Sequence, residues 1–237
     1  MASSISIRVG CDLVSVDDVQ RAVDRYGSRY LARVFGVNPS TGDAPPARTL
    51  AGRFAAKEAV AKALSVGDKP FPWSEVAITS DRDGRPRLEL SGRMAEYARE
   101  AGVIDWDLSV THEKNLAMAM LAMILERPGS SSAALAGAGS AIDPAMQVVD
   151  ATNRGEGMDE LVRRVRDTVA GVIGDTVEVA RLGSRDDLFA AGMTSHQTVQ
   201  VMLGLEDEFD LEFPDDQLTR STFTSLDSMA RAVASLS

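Results

Sequence analysis

Apolar and polar positions alternate from Ile5 to Val9, the period of a short half-buried strand. From Val16 to Phe35 the period becomes helical, and Gly27 divides the run into two helical pieces. The Ala-rich segment Ala47 to Leu64 carries Leu50, Phe54, Ala61 and Leu64 at helical spacing and closes at Gly67. Asp83-Gly84 lies between Val76-Ala-Ile-Thr79 and Leu88-Glu-Leu90, the composition of a hairpin turn between two strands. A helix predicted after Gly92 ends at Gly102, and two strands, Trp106 to Thr111 and Leu116 to Ile124, complete an α+β unit with an antiparallel sheet. Beyond it the pattern is helical throughout, with apolar faces at Leu161, Val165, Val169 and Val172, at Val199, Met202, Leu203 and Phe209, and at Leu226, Met229, Ala230, Val233 and Leu236. Loops containing Gly183, Gly192 and Pro214 separate these helices, and a small all-α bundle is the economical reading.

Between the two parts lies a run of Gly, Ser and Ala from Pro128 to Pro144, too poor in apolar bulk to offset the entropy of ordering it. The chain therefore divides into residues 1–127, a flexible linker at 128–157, and residues 158–237. A coil of that length has an r.m.s. span of roughly 30 Å, so each part can reach the other's surface.

Composition narrows the function classes. At 237 residues, 44% hydrophobic and 25% charged, the chain is an ordinary globular one, not disordered, collagenous or a coiled coil as a whole. The uncharged apolar run from Leu116 to Leu125 is about half of what a bilayer crossing needs, and no basic segment with a hydrophobic stretch opens the chain, so a soluble cytoplasmic protein without membrane contact is expected. One cysteine, Cys11, excludes an internal disulfide framework and a cysteine-cluster metal site, and two histidines argue against a zinc enzyme. The net charge of −10 argues against nucleic acid as a partner. Its distribution is more informative: residues 1–127 hold 17 basic and 17 acidic side chains, whereas residues 158–237 hold 7 and 15, with no lysine.

In the first part, Asp12 follows a hydrophobic strand inside Gly10-Cys-Asp-Leu-Val14, where a carboxylate is costly unless a cation meets it. Read by itself it suits a helix cap or a functional carboxylate. Glu58 and Lys62, in Arg53-Phe-Ala-Ala-Lys-Glu58-Ala-Val-Ala-Lys62, are four residues apart on one helical face, a spacing that also fits a solvated ion pair. His112 follows a strand in Ser109-Val-Thr-His-Glu113, where a structural role is equally open.

Together, Gly-x-Asp-Leu-Val, Arg-Phe-Ala-Ala-Lys-Glu-Ala-x-x-Lys and Ser-x-Thr-His-Glu, in this order, resemble the short holo-acyl-carrier-protein synthases, the trimeric class of 4′-phosphopantetheinyl transferases. The resemblance covers most of residues 5–125, including Trp73-Ser-Glu-Val and Gly84-Arg-Pro-Arg-Leu-Glu-Leu-Ser-Gly92. It implies Asp12 and Glu58 as Mg²⁺ ligands, and Lys62 beside the scissile pyrophosphate of coenzyme A. It further implies Arg53, Thr111 and His112 as coenzyme A contacts, with Glu58, Lys62 and His112 as the catalytic set. Two carboxylates suit a hard octahedral cation that also takes phosphate oxygens, and group transfer of this kind needs mainly positioning and charge neutralisation. Glu58 or a metal-bound water is favoured over His112 as the base that takes the serine proton. The pattern departs where a basic residue usually faces the carrier protein, since Asp17 and Asp18 stand there. The loop Gly36 to Pro46 also lacks an acidic residue usual after Arg-Val-Phe. Arg21, Arg25, Arg29 and Arg33 recur every four positions and form a candidate basic stripe.

In the second part, Asp187-Leu-Phe-Ala-Ala-Gly-Met-Thr-Ser195-His-Gln-Thr-Val introduces a helix whose Thr194-x-x-Gln197 spacing is that of a capping box. Ser195 would sit in the first turn, where a phosphodiester is electrostatically favoured. This stretch resembles the attachment segment of acyl carrier proteins, four-helix bundles in which Ser195 would receive 4′-phosphopantetheine, and the likeness extends over residues 158–236. Most carriers have Asp-Ser-Leu where this chain has Thr194-Ser195-His196, and the usual Glu five residues after the serine is Gln200. Glu206, Asp207 and Asp210 form an acidic patch suited to the arginine stripe. The losses at Asp18 and Thr194 look mutually adjusted, since an aspartate at 194 would be repelled by Asp18.

The resemblances imply a self-contained modification unit. The first part transfers 4′-phosphopantetheine from coenzyme A to Ser195, on the same chain or a neighbouring one, and releases adenosine 3′,5′-bisphosphate. A homotrimer through the synthase part, with active sites shared between protomers, is implied as well. The alternative is a carrier joined to a catalytically silent docking scaffold, against which the retained Asp12, Glu58 and Lys62 argue.

Overall fold

The computed structural model describes residues 4–37, 44–127 and 152–237. Its first module runs β1 (Ser4–Ser15), α1 (Val16–Phe35), α2 (Ala47–Leu64), β2 (Val76–Ser80), β3 (Pro86–Leu90), α3 (Gly92–Glu100), β4 (Val103–Glu113) and β5 (Leu116–Arg127). An antiparallel sheet has the order β1-β5-β4, and β2 and β3 form a separate hairpin. The expected elements are all present, but the first strand is longer than its alternating core suggests and carries Asp12 within it. Ser15, not Asp12, caps α1, its hydroxyl accepting from the Asp18 amide at 3.3 Å. The chain does bend at Gly27, whose φ of 52° and ψ of −127° lie outside the range of other residues.

Side chains alternate across the pleat, so the even positions of β1 face α2. Gly10, Asp12 and Val14 are on that face, across from Leu121, Ala119 and Ala117 of β5. The helix lies so close that a Cβ on Gly10 would fall 1.9 Å from the Ala59 carbonyl oxygen. Small residues on both sides permit this: Ala51, Ala55, Ala56 and Ala59 of α2 are fully buried along with Leu50 and Phe54. The opposite face of the sheet exposes Ile5, Ile7, Val9, Leu13, Met118 and Met120, with Ile7 67% and Met120 51% accessible.

The second module contains α4 (Thr152–Ile173), α5 (Ser195–Phe209) and α6 (Leu226–Leu236), with 3₁₀ turns at Val179–Arg181 and Asp215–Gln217. The helical bundle is as expected, although the segment between α5 and α6 forms a 3₁₀ turn and a run of tight turns rather than a fourth α-helix. Val165, Val169, Leu203, Phe213, Met229 and Val233 fill its core. The helix α4 begins inside the segment assigned to the linker, and residues 128–151 and the loop at 38–43 lie outside the described residues. Thr194 with Gln197, and Ser225 with Ser228, form reciprocal capping boxes at α5 and α6. Among the described residues, no helix is long and apolar enough to cross a membrane.

Gly10→Ala should lower stability by about 1–3 kcal/mol or more, because backbone rather than a flexible side chain blocks the new methyl group. A denaturation midpoint unchanged from wild type would show that α2 can move away from β1 at little cost.

Candidate functional site

Asp12 on β1 and Lys62 on α2 meet where the sheet and helix touch. Lys62 Nζ donates to Asp12 Oδ1 at 2.8 Å and to the Cys11 carbonyl at 2.9 Å. One helical turn earlier, Glu58 is 7% exposed. Burial pushes its carboxyl up to about 7. The nearby Ser195 side chain and the charge of Lys62 oppose the shift, and the Asp12 charge reinforces it. Ser195, the first residue of α5, lines the same cavity as Glu58 of the other module within one chain.

A cavity of about 330 Å³ opens beside this contact. Glu58, Lys62 and Ser195 line it, with Phe71 and Trp73 from the first module and Phe189, Met202 and Phe223 from the second. Lys57, which the sequence reading did not single out, holds one wall. It is buried, donates to the Trp73 carbonyl at 2.7 Å and to the Val76 carbonyl, and burial pushes it down to about 7. Its neighbour Phe54 stacks on Trp73 with ring centroids 5.0 Å apart.

Three expected site residues are not brought to this cavity by their own chain. His112 faces α2, but Nε2 lies 2.9 Å from the Arg48 carbonyl and against Gly52, nearer the start of the helix than Glu58. Because β5 intervenes between β1 and β4, two strand spacings of about 4.8 Å separate its strand from Asp12. Thr111 pairs with Met118 on the opposite face of the sheet. Arg53 is five residues before Glu58, hence turned away from it around the helix, and acts electrostatically on Lys57.

The arginine stripe meets the second module along α1. Arg29 Nη2 donates to Glu206 Oε2 at 3.1 Å and Arg29 also pairs with Asp207. Arg33 donates to Glu206 Oε1 at 3.1 Å and to the Phe213 carbonyl, and is near Glu212 and Asp215 at 3.5 and 3.7 Å. Arg25 reaches the Gly171 carbonyl at 2.9 Å, near the negative end of α4. Arg21 departs from the pattern: it pairs with Asp18 on its own helix. Asp18 itself faces Gln200, whose amide donates to its carbonyl at 3.4 Å, so the charge lost on the carrier side opposite Asp18 is that of residue 200. On the far side of the cavity, the Phe71 amide donates to the Leu218 carbonyl at 2.9 Å and the Ser221 amide to Asp68 at 2.6 Å. These contacts left no signal in the sequence, whereas the four-residue arginine period announced the first set.

Comparison with known proteins separates the modules in the same way. The pattern of the 4′-phosphopantetheinyl transferase superfamily matches residues 8–121. A holo-[acyl-carrier-protein] synthase of Herpetosiphon aurantiacus is 36% identical over 119 residues, which are 47% of this chain and 94% of that protein. This chain belongs to the 4′-phosphopantetheinyl transferase superfamily. Another synthase, from Halothermothrix orenii, is 34% identical over 116 residues, 48% of this chain and 93% of that one. A solved coenzyme A complex of the Chronobacterium ammoniagenes synthase is 28% identical and covers 52% of this chain and 99% of its own, with a TM-score of 0.43. The phosphopantetheine attachment site pattern matches residues 163–233, so the transferase module is followed by a carrier module on one chain.

Glu206 has its side chain 1% exposed and also accepts from the Phe213 amide at 3.0 Å. Glu206→Ala should therefore cost about 2–5 kcal/mol, and Asp207→Ala, whose partner pair is half in solvent, under about 1 kcal/mol. Equal effects on amide exchange protection of α5 would contradict the buried pairing.

Proposed function

We propose that the transferase module moves 4′-phosphopantetheine from coenzyme A to Ser195 of its own carrier module. The meeting of Glu58 and Ser195 in one cavity carries the reading, since it sets a buried carboxyl beside the hydroxyl that must lose its proton. As Glu58 takes the proton, Ser195 Oγ forms a bond to the phosphorus that carries pantetheine. The bond from that phosphorus to the bridging oxygen breaks, and adenosine 3′,5′-bisphosphate leaves. Lys62, at the mouth between Asp12 and the cavity, neutralises charge on the pyrophosphate.

Asp12 and Glu58 are the residues that would hold Mg²⁺. Among the described residues no cluster of three or more His, Cys, Asp or Glu forms a closed metal cage. Two carboxylates near one lysine fit a cation that takes its remaining ligands from water and substrate phosphates. When bound, Mg²⁺ supplies charge neutralisation on the phosphate oxygens. Coenzyme A as donor makes the cytoplasm the site of reaction. A silent scaffold would have no need of a buried carboxylate against the acceptor hydroxyl.

The exposed apolar face of the sheet supports a homotrimer formed through the transferase module. In that assembly Thr111, on this face, and His112, near the sheet edge, belong to sites completed by a second copy, together with Arg53. This accounts for their distance from the cavity of their own chain. Arg25, Arg29 and Arg33 dock the carrier through Glu206 and Asp207, and the tether keeps the carrier at a high effective concentration, roughly millimolar.

Incubating the apo chain with coenzyme A and Mg²⁺ should add one phosphopantetheine group by intact mass. Ser195→Ala should prevent the addition, and Glu58→Ala should slow it by about a hundredfold or more, the upper part of the range for a lost proton acceptor. Addition to Ser195→Ala, or an unchanged rate for Glu58→Ala, contradicts the reading. For the assembly, light scattering should give three chain masses, and Ile7→Asp with Met120→Asp should reduce this to one; a monomeric wild-type chain would refute the trimer.

A further inference from the structure

The residue after the acceptor serine, His196, is 5% exposed and wedged between the modules. Its ring meets Phe54 edge-on at 4.9 Å and Tyr30 at 5.9 Å between centroids. Tyr30 is fully buried, and its hydroxyl lies 2.9 Å from His196 Nε2. The Gln200 amide donates to the Asp18 carbonyl at 3.4 Å and is 3.1 Å from His196 Nδ1. An amide donating to Nδ1 makes that nitrogen the acceptor and leaves the ring proton on Nε2, aimed at Tyr30. The four groups form one relay: Asp18 carbonyl, Gln200 amide, His196 imidazole, Tyr30 hydroxyl.

We propose that Tyr30 and His196 are a matched pair through which the transferase module selects its own carrier. The inference rests on the transfer reading above and adds the residues that read the acceptor. A leucine at 196, as in carriers of the Asp-Ser-Leu kind, fills the space between Phe54 and Tyr30 but offers the phenol no partner. A buried hydroxyl without a partner is penalised far more than a satisfied one is rewarded, so the pair acts by rejecting the wrong carrier. A glutamate at 200 would present oxygen instead of an amide to the Asp18 carbonyl and to Nδ1. Two departures from the ordinary pattern, Gln200 and His196, are therefore successive members of a single hydrogen-bonded chain that ends on the backbone carbonyl of residue 18. The relay needs a neutral imidazole. Burial first, and the Arg21 charge second, hold His196 down to about 4, and Gln200, Tyr30 and Phe54 bring no charge against it.

The test uses full chains and single-turnover conversion from apo to holo. His196→Leu should slow conversion roughly ten- to hundredfold. Tyr30→Phe introduced into that variant should restore the rate to within a few-fold of wild type, because the orphaned hydroxyl is gone. Failure of the rescue, or no loss in His196→Leu, overturns the proposal. If the wild-type chain takes up no phosphopantetheine, the transfer reading has failed and the pair is still read by NMR of the apo chain, which has only two histidines. His196 should titrate below pH 5 in the intact chain and near 6.5 when Arg29→Glu with Arg33→Glu opens the interface; titration near 6.5 in the wild-type chain overturns the pairing whatever the activity.

Discussion

The close approach of α2 to β1 sets the distances on which the site depends. Gly10 lets the helix backbone touch the strand, and two positions further along the same pleat Asp12 then falls within reach of Lys62. The same packing buries Glu58, and that burial pushes its carboxyl above the ordinary carboxylate range. A bulkier residue at position 10 would tilt the helix, lengthen the Asp12–Lys62 contact and let water reach Glu58. Lys57 stabilises the other side of the helix by capping two carbonyls of the segment that carries Trp73.

The second constraint is electrostatic. The transferase module is neutral as a whole but sets four of its arginines along α1, and the carrier module meets them with Glu206 and Asp207 of α5. Among these contacts only Glu206 is deeply buried, so it and Arg33 dominate the energy while the exposed pairs contribute steering and register. The kink at Gly27 has a part in this. It separates Arg21, which turns back to Asp18, from Arg29 and Arg33, which reach across.

Local periodicity and turn chemistry made most of the fold legible: the hairpin at Asp83-Gly84, the broken first helix and the carrier helices all follow from nearest-neighbour patterns. The extent of β1 was not legible, because Cys11 to Ser15 lacks the alternation of its first half and is held by pairing with β5, a long-range contact. In the site, the four-residue spacing put Glu58 and Lys62 on one face, yet spacing alone did not distinguish a solvated pair from a buried one. Asp12 and Ser195 were legible as motif positions, and their meeting is a tertiary fact. The motifs also grouped His112 with Asp12, although strand order holds them apart within one chain. Lys57 gave no signal because a lysine in an Ala-rich helix reads as a solvated side chain until the carbonyls it caps are known.

The cavity beside Ser195 takes its walls from both modules. Under the transfer reading, the acceptor is therefore also part of the container in which it reacts, and lifting the carrier away dismantles the chamber. The part of the pocket around the acceptor hydroxyl is finished only when the carrier is in place. The rhythm is that of a latch: each closure assembles the chamber, and release of the carrier and loss of the chamber are one event.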